Sequence, residues 1–214
     1  RKLTDFREQK RNMLELEDRP DRVELRMARE TGSQRAAIER INNSADFQDK
    51  YVLDKLADLG KAVCRIVKGG SPIGTGFLVA DGIIITNHHV IENEQDARDM
   101  YAEFEYELDS NRAPKTSVLF KIDPGKFFLT SSLEADKTIP YSGLDFTLIG
   151  LDAKGTKGES LARYTPVYLD GNAGKIIKGE YCIIIQHPNG LPKKVVLKNT
   201  AFFSETNTRL IYES

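Results

Sequence analysis

The sequence predicts a mainly β protein with an α-helical extension at its N-terminus. Three observations predict it. Beyond Gly60, short β-branched and aromatic runs alternate with Gly, Pro, Asn and Asp, the texture of a sandwich or barrel of many short strands. The first 50 residues hold 23 charges, 12 basic and 11 acidic, against 40 in the rest of the chain. An apolar fraction of 40% over 214 residues is enough for a core, in one large or two small domains.

The elements follow in order. Leu3, Phe6, Met13 and Leu16 recur near helical spacing, which predicts an amphipathic helix over 3–17. Pro20 suits the first turn of a second helix and Gly32 its stop, with Val23, Leu25 and Met27 as thin apolar content. Ser33 can cap a third, carrying Ala36, Ala37, Ile38 and Ile41. Residues 43–46 read as a linker. Asp46 can cap a fourth helix, with Tyr51, Val52, Leu56 and Leu59 inward and Gly60 at its end. Residues 1–60 are thus a charged helical extension. Strands are expected near 61–68, 73–80, 82–86, 101–108, 115–122, 145–151, 180–186, 193–198 and 209–213. In a strand over 101–108, Phe104 and Tyr106 share one face, while Glu103, Glu105 and Glu107 form an acidic exterior on the other.

Composition excludes several classes. A net charge of −1 argues against a dedicated nucleic-acid binder or a polybasic membrane binder. No apolar run reaches the length of a membrane span. No signal-peptide h-region is visible, although the chain opens on Arg1 rather than Met. Two cysteines, Cys64 and Cys182, are too few for a disulfide framework and are expected as buried free thiols. A cytoplasmic location is therefore expected. His88, His89 and His187 are the only histidines, and no Cys or carboxylate cluster completes a metal site with them. Gly69-Gly70-Ser71 lacks the lysine and the helix of a phosphate loop. No metal or cofactor is expected.

The most informative stretch runs from Gly74 to Val90. Two apolar strands flank the Asp81-Gly82 turn, and the second ends Thr86-Asn87-His88-His89-Val90. A histidine where a buried strand gives way to a turn can be held rigidly and still face a cleft, as a general base requires. Asp145 directly precedes the apolar run Phe146–Leu151. A carboxylate there is costly to bury unless a donor meets it, and an imidazole N–H is such a donor. The alternative is a turn aspartate in the loop at Ser142-Gly143.

Together these pieces resemble the trypsin-like, chymotrypsin-fold serine peptidases, especially their bacterial branch. The family's Gly-x-Gly-Phe strand matches Gly74-Thr75-Gly76-Phe77. Its apolar strand ending in Thr-Asn-x-His-Val matches Thr86–Val90, which implies His89 as catalytic histidine and His88 as a bystander. Its Asp-φ-Thr-Leu-φ strand matches Asp145–Ile149, which implies Asp145 as the orienting carboxylate. Gln186-His187-Pro188-Asn189-Gly190 is similar to a turn of the second barrel, so His187 reads as a turn residue. The resemblance covers about residues 61–214. It implies a chymotrypsin-like double β-barrel, with a first barrel over 61–155 and a partial second barrel over 156–214.

The nucleophile motif Gly-x-Ser-Gly is absent from the sequence. In the family's chain order the serine comes last, so the expectation is a serine beyond residue 214, in a C-terminal remainder of the same protein. The resemblance then implies an endopeptidase that hydrolyses protein or peptide substrates with no cofactor, its N-terminal helices docking on a barrel, another protomer or a partner protein. The alternative is a catalytically inactive, protease-like regulatory or binding module.

Overall fold

The computed structural model describes residues 50–134, 142–169, 182–197, 200, 202–205 and 210–212. The three helices expected between residues 3 and 45 lie outside them. The chain divides into two compact units, one of residues 49–169 and 185–195, the other of 1–48, 170–184 and 196–214.

The first unit opens with helix α1 (Tyr51–Ala62), which runs without a break into β1 (Val63–Lys68). Two expectations change here. Lys50 occupies the N-cap position without a side-chain capping bond, so an Asp46 cap does not start the helix. Gly60 does not end it either, but lies buried inside the last turn. Of the four apolar side chains expected inward, Tyr51 and Leu59 are 54% and 43% exposed, because the helix meets the sheet only at its C-terminal end, where Gly60 and Ala62 are buried.

Six more strands complete one antiparallel sheet: β2 (Ser71–Ala80), β3 (Ile83–Thr86), β4 (Met100–Phe104), β5 (Val118–Lys121), β6 (Phe128–Ser131) and β7 (Phe146–Gly150). Their order is β5-β4-β1-β2-β3-β7-β6. β2 thus begins at Ser71, two residues ahead of the start expected near 73. The β2–β3 hairpin turns at Asp81-Gly82, with Gly82 at φ +73°, a left-handed conformation that glycine takes at little cost. One helical turn, α2 (Glu94–Ala97), follows β3 and is capped by the Asn93 side chain. At the far end of the sheet, Ile122 bridges Leu151. Asp123 N–H donates to Gly150 O at 2.8 Å, and Asp152 N–H to Lys121 O at 2.9 Å. These bonds tie the end of β5 to the end of β7.

Alternation along the strands fills the interior. Ile66, Leu78, Ile84, Phe104, Phe120 and Ile149 are buried there. Phe104 meets Phe120 edge-on at 5.6 Å and stacks on Tyr164 at 4.5 Å, geometries that add to the gain from burial. Cys64 is buried as expected, and burial pushes its thiol up to about 12, whereas Cys182 is only half-buried. The Gly-Thr-Gly of β2 allows close packing. A Cβ at Gly74 would lie 2.6 Å from Val90 Cγ1, and one at Gly76 would lie 3.0 Å from Ile85 O.

The acidic exterior expected over 101–108 is not there. Glu105 adopts φ +60° and stops β4 at Phe104. Each glutamate then finds a long-range partner. Glu103 is buried and bonds Arg65 at 2.5 and 2.8 Å and Ser117 Oγ at 2.6 Å. Glu105 accepts from Tyr164 and pairs with Arg163, and Glu107 pairs with Lys115 and Lys193.

Residues 185–195 belong to this same unit. β8 (Ile184–Gln186) and β9 (Lys194–Val196) form a two-stranded sheet joined through the 3-10 turn Pro188–Gly190. The turn is clamped at three places. His187 N–H donates to Thr75 Oγ1 at 3.0 Å. Arg65 Nη1 donates to Gly190 O at 2.7 Å, its guanidinium lying 3.5 Å from the Tyr106 ring centroid. Lys193 Nζ donates to Gly60 O at 2.6 Å, and its backbone N–H to Tyr106 O at 2.9 Å. Gly190 sits at φ +74°, where a side chain would collide with Pro72.

Of the second unit, Cys182 N–H donates to Thr200 O at 2.9 Å, and Thr200 Oγ1 donates to Cys182 O. β10 (Phe202–Glu205) pairs antiparallel with β11 (Leu210–Tyr212). Neither β6 nor β10 is among the expected strands.

His187 carries a consequence for stability. Its Nδ1–H donates to Leu191 O at 3.0 Å, which leaves Nε2 as a buried lone pair with no partner among the described residues. Burial foremost, then the charges of Lys193 and Arg65, hold its pKa below the ordinary value near 6.5. The folded state thus resists the proton that the unfolded chain accepts. Stability is full above about pH 6.5 and falls as pH drops from there toward the lowered folded value. Urea unfolding across that window should show the slope. His187→Asn, which keeps a donor toward Leu191 without a buried base, should flatten it.

Candidate active site

β3 ends at Thr86, whose hydroxyl donates to Thr75 O at 2.8 Å on β2. The chain then turns. Asn87 O accepts from Val90 N–H and Ile91 N–H at 3.1 and 3.3 Å, and the fully buried Ile91 anchors the far side. The turn therefore presents residues 87–89 between two fixed ends. His89 stands on it with 68% of its side chain exposed.

Asp145 precedes β7. Because Thr86 pairs with Thr147 in the β3–β7 register, Asp145 arrives opposite the His89 turn. His89 Nδ1 lies 3.0 Å from Asp145 Oδ2 and 3.3 Å from Oδ1. His89 N–H donates to Oδ1 at 3.2 Å, and Asn87 Nδ2 donates to Oδ2 at 3.3 Å and to Asp145 O at 3.2 Å. The aspartate side chain is only 13% exposed, and these donors satisfy it. A carboxylate only accepts, so Nδ1 carries a proton, and in the neutral ring Nε2 then holds the lone pair. That lone pair has no partner among the described residues. An imidazole held in this tautomer can take a proton from an incoming hydroxyl.

The structure thus brings His89 and Asp145 together. His88, read as a bystander, is bonded rather than free: its Nδ1 lies 2.7 Å from Thr130 Oγ1. His187 stands at the head of the 188–190 turn, as expected of a turn residue. Sequence reasoning missed Asn87, Thr130 and Thr147. Thr147 offered a signal, a hydroxyl inside the apolar run Phe146–Leu151. Thr130 offered none, because its strand was not expected. Among the described residues, no group of three or more His, Cys, Asp or Glu could hold a metal ion, and no helix is long and apolar enough to cross a membrane.

A family model for the trypsin-like peptidase domain matches residues 74–210. The chain belongs to that family. The match covers both Gly74–Val90 and Asp145–Ile149. Uncharacterized protein y4fB of Sinorhizobium fredii (strain NBRC 101917 / NGR234) is 31% identical over 171 residues, 77% of this chain and 24% of that protein. The chain thus spans about a quarter of the length of this relative. Among solved structures, Deg5 is similar with a TM-score of 0.42 and 18% identity, over 78% of this chain and 73% of that one. The inactive form of Rv3671c protease is similar with a TM-score of 0.37 and 14% identity, over 72% and 57%.

The geometry of the pair yields a direct test. Asp145 sits at φ +51°, a left-handed conformation that Asn tolerates as well, so Asp145→Asn keeps shape and backbone and the unfolding midpoint should move little. An amide can donate to Nδ1 and stabilise the other tautomer, so any peptidase turnover by the intact protein should fall on the order of 10^4-fold. Unfolding curves and steady-state kinetics on one preparation check both halves.

Proposed function

We propose that this chain carries the histidine and aspartate of a serine endopeptidase that hydrolyses protein or peptide substrates. His89 acts first as general base and then as general acid. Asp145 fixes its tautomer and stabilises the imidazolium. The nucleophile is a serine beyond residue 214, as the family's chain order requires, and it attacks the peptide carbonyl to form an acyl-enzyme. The observation that carries this reading is the 3.0 Å contact between His89 Nδ1 and a largely buried Asp145, with the imidazole itself open to a substrate. In this reading residues 61–155 form a first barrel, supported by the bonds joining β5 to β7, and 156–214 begin a second. Residues 1–45 serve as a docking segment.

A fluorophosphonate probe, which labels only an activated serine, tests the proposal on the intact protein. The expected result is labelling at a serine C-terminal to residue 214, with peptide hydrolysis. His89→Ala should lower both by about 10^4-fold or more. His88→Ala removes one hydrogen bond and should stay within about tenfold of wild type. An intact protein that neither labels nor hydrolyses peptides would instead be a protease-like scaffold. Equal losses from the two histidine variants would overturn the assignment of His89.

A further inference from the structure

β7 reaches the histidine turn twice. Asp145, just before the strand, meets His89. Two residues on, Thr147 Oγ1 donates to Ile91 O at 2.7 Å. Thr147 is fully buried and cannot exchange this partner for water. Its hydroxyl also lies 2.7 Å from Thr130 Oγ1, across the β6–β7 pair where the two residues are register partners. Thr130 Oγ1 in turn lies 2.7 Å from His88 Nδ1.

Proton counting gives this chain a direction. The single Thr147 proton goes to the Ile91 carbonyl, which can only accept. The one Thr130 proton goes to Thr147 Oγ1 or to Phe146 O, and either use leaves none for His88. The proton in the His88–Thr130 contact must then come from Nδ1. His88 Nδ1–H thus donates to Thr130, Thr130 and Thr147 are joined by their 2.7 Å hydroxyl contact, and Thr147 donates to Ile91 O. Phe146 O, 3.0 Å from Thr130 Oγ1, is a second acceptor for the Thr130 proton.

We propose that Thr147 is a positioning residue for His89, holding the far end of its turn at the height at which Nδ1 meets Asp145, with Thr130 and His88 completing the network. This rests on the reading of His89 as the general base. Asp145 alone does not fix the ring, because a side chain 68% exposed can turn away whenever its backbone shifts. The bond to Ile91, two residues past His89, removes that freedom.

Three variants of the intact protein decide. Thr147→Val keeps the shape and loses the hydroxyl. It should lower kcat by about ten- to a hundredfold with KM little changed, the signature of a misplaced catalytic group. Thr147→Ser restores the hydroxyl and should return kcat to within about threefold of wild type. Independently of turnover, long-range proton–nitrogen NMR on the alkaline side reads which nitrogen of His89 is protonated. Wild type and Thr147→Ser should show Nδ1–H, and Thr147→Val a shift toward Nε2–H, the form free imidazole prefers.

If Thr147→Val does not fold, His88→Asn and His88→Gln stand in. Asn offers a donor near the place of Nδ1, whereas Gln offers one further out. Only Asn should keep wild-type kcat and tautomer. A folded Thr147→Val with altered stability but wild-type kcat and His89 tautomer would overturn the proposal, as would equal behaviour of the two His88 variants. If the wild-type protein proves inactive, the peptidase reading falls, while the tautomer comparison still decides the positioning role.

Discussion

The register between β3 and β7 is the constraint on which the site depends. Thr86 faces Thr147, Ile85 faces Leu148 and Ile84 faces Ile149. Extending that antiparallel count past the end of β3 sets Asp145 beside the turn that carries His89. A slip of one residue would turn Ile84 and Ile149 out of the core, so burial of these side chains enforces the register. The His89–Asp145 geometry is thus maintained by apolar packing at Ile84 and Ile149, five and four residues away from the pair. The Gly-Thr-Gly of β2 belongs to the same constraint. Its missing side chains let Val90 pack over Gly74 and the Ile85 backbone approach Gly76.

A second set of interactions joins residues 185–195 to the first sheet, and it is ionic at its centre. Arg65 and Glu103 are 12% and 9% exposed. Desolvating two charges is costly, and a pair of this kind contributes more to the choice of one arrangement than to net stability. The surrounding partners show how the cost is offset. The Glu103 oxygens receive Arg65 and Ser117, while Arg65 also reaches Gly190 O and lies over Tyr106. Removing either charge would strand the other in a nearly dry site.

Much of the first sheet and the histidine–aspartate pair were legible in the sequence, because both are written in local signals. β2 and β3 are apolar runs around an Asp-Gly turn, and β7 is an apolar run behind an aspartate. β6 was not legible. Phe128-Leu-Thr-Ser131 is a four-residue edge strand with no fully buried position, so burial never imposes an alternation on it. The glutamates at 103, 105 and 107 misled for a related reason. Their period of two is a strand signal, yet a left-handed residue at Glu105 ends the strand. Their cationic partners come from segments as distant as β1 and the turn before β9. Pairings between remote segments leave no trace in the local pattern. Thr130, inside the unread strand, was hidden in the same way, and with it the partner of His88.

Asp145 itself argues for function over stability. It holds φ +51°, a left-handed conformation that aspartate tolerates better than most residues but that still costs on the order of 1–3 kcal/mol. The interaction it gains in return is a hydrogen bond to a histidine 68% exposed, and a hydrogen bond contributes a net of about 0.5–1.5 kcal/mol. The backbone amide of His89 and the Asn87 side chain add hydrogen bonds, but a glycine at 145 would relieve the strain and need none of them. As a folding element the residue is close to neutral or unfavourable. What the strain supplies is direction: it turns the carboxylate back toward Nδ1 at the point where β7 begins. A strained residue aimed at one nitrogen of an otherwise open imidazole is the arrangement that the proposed general base needs.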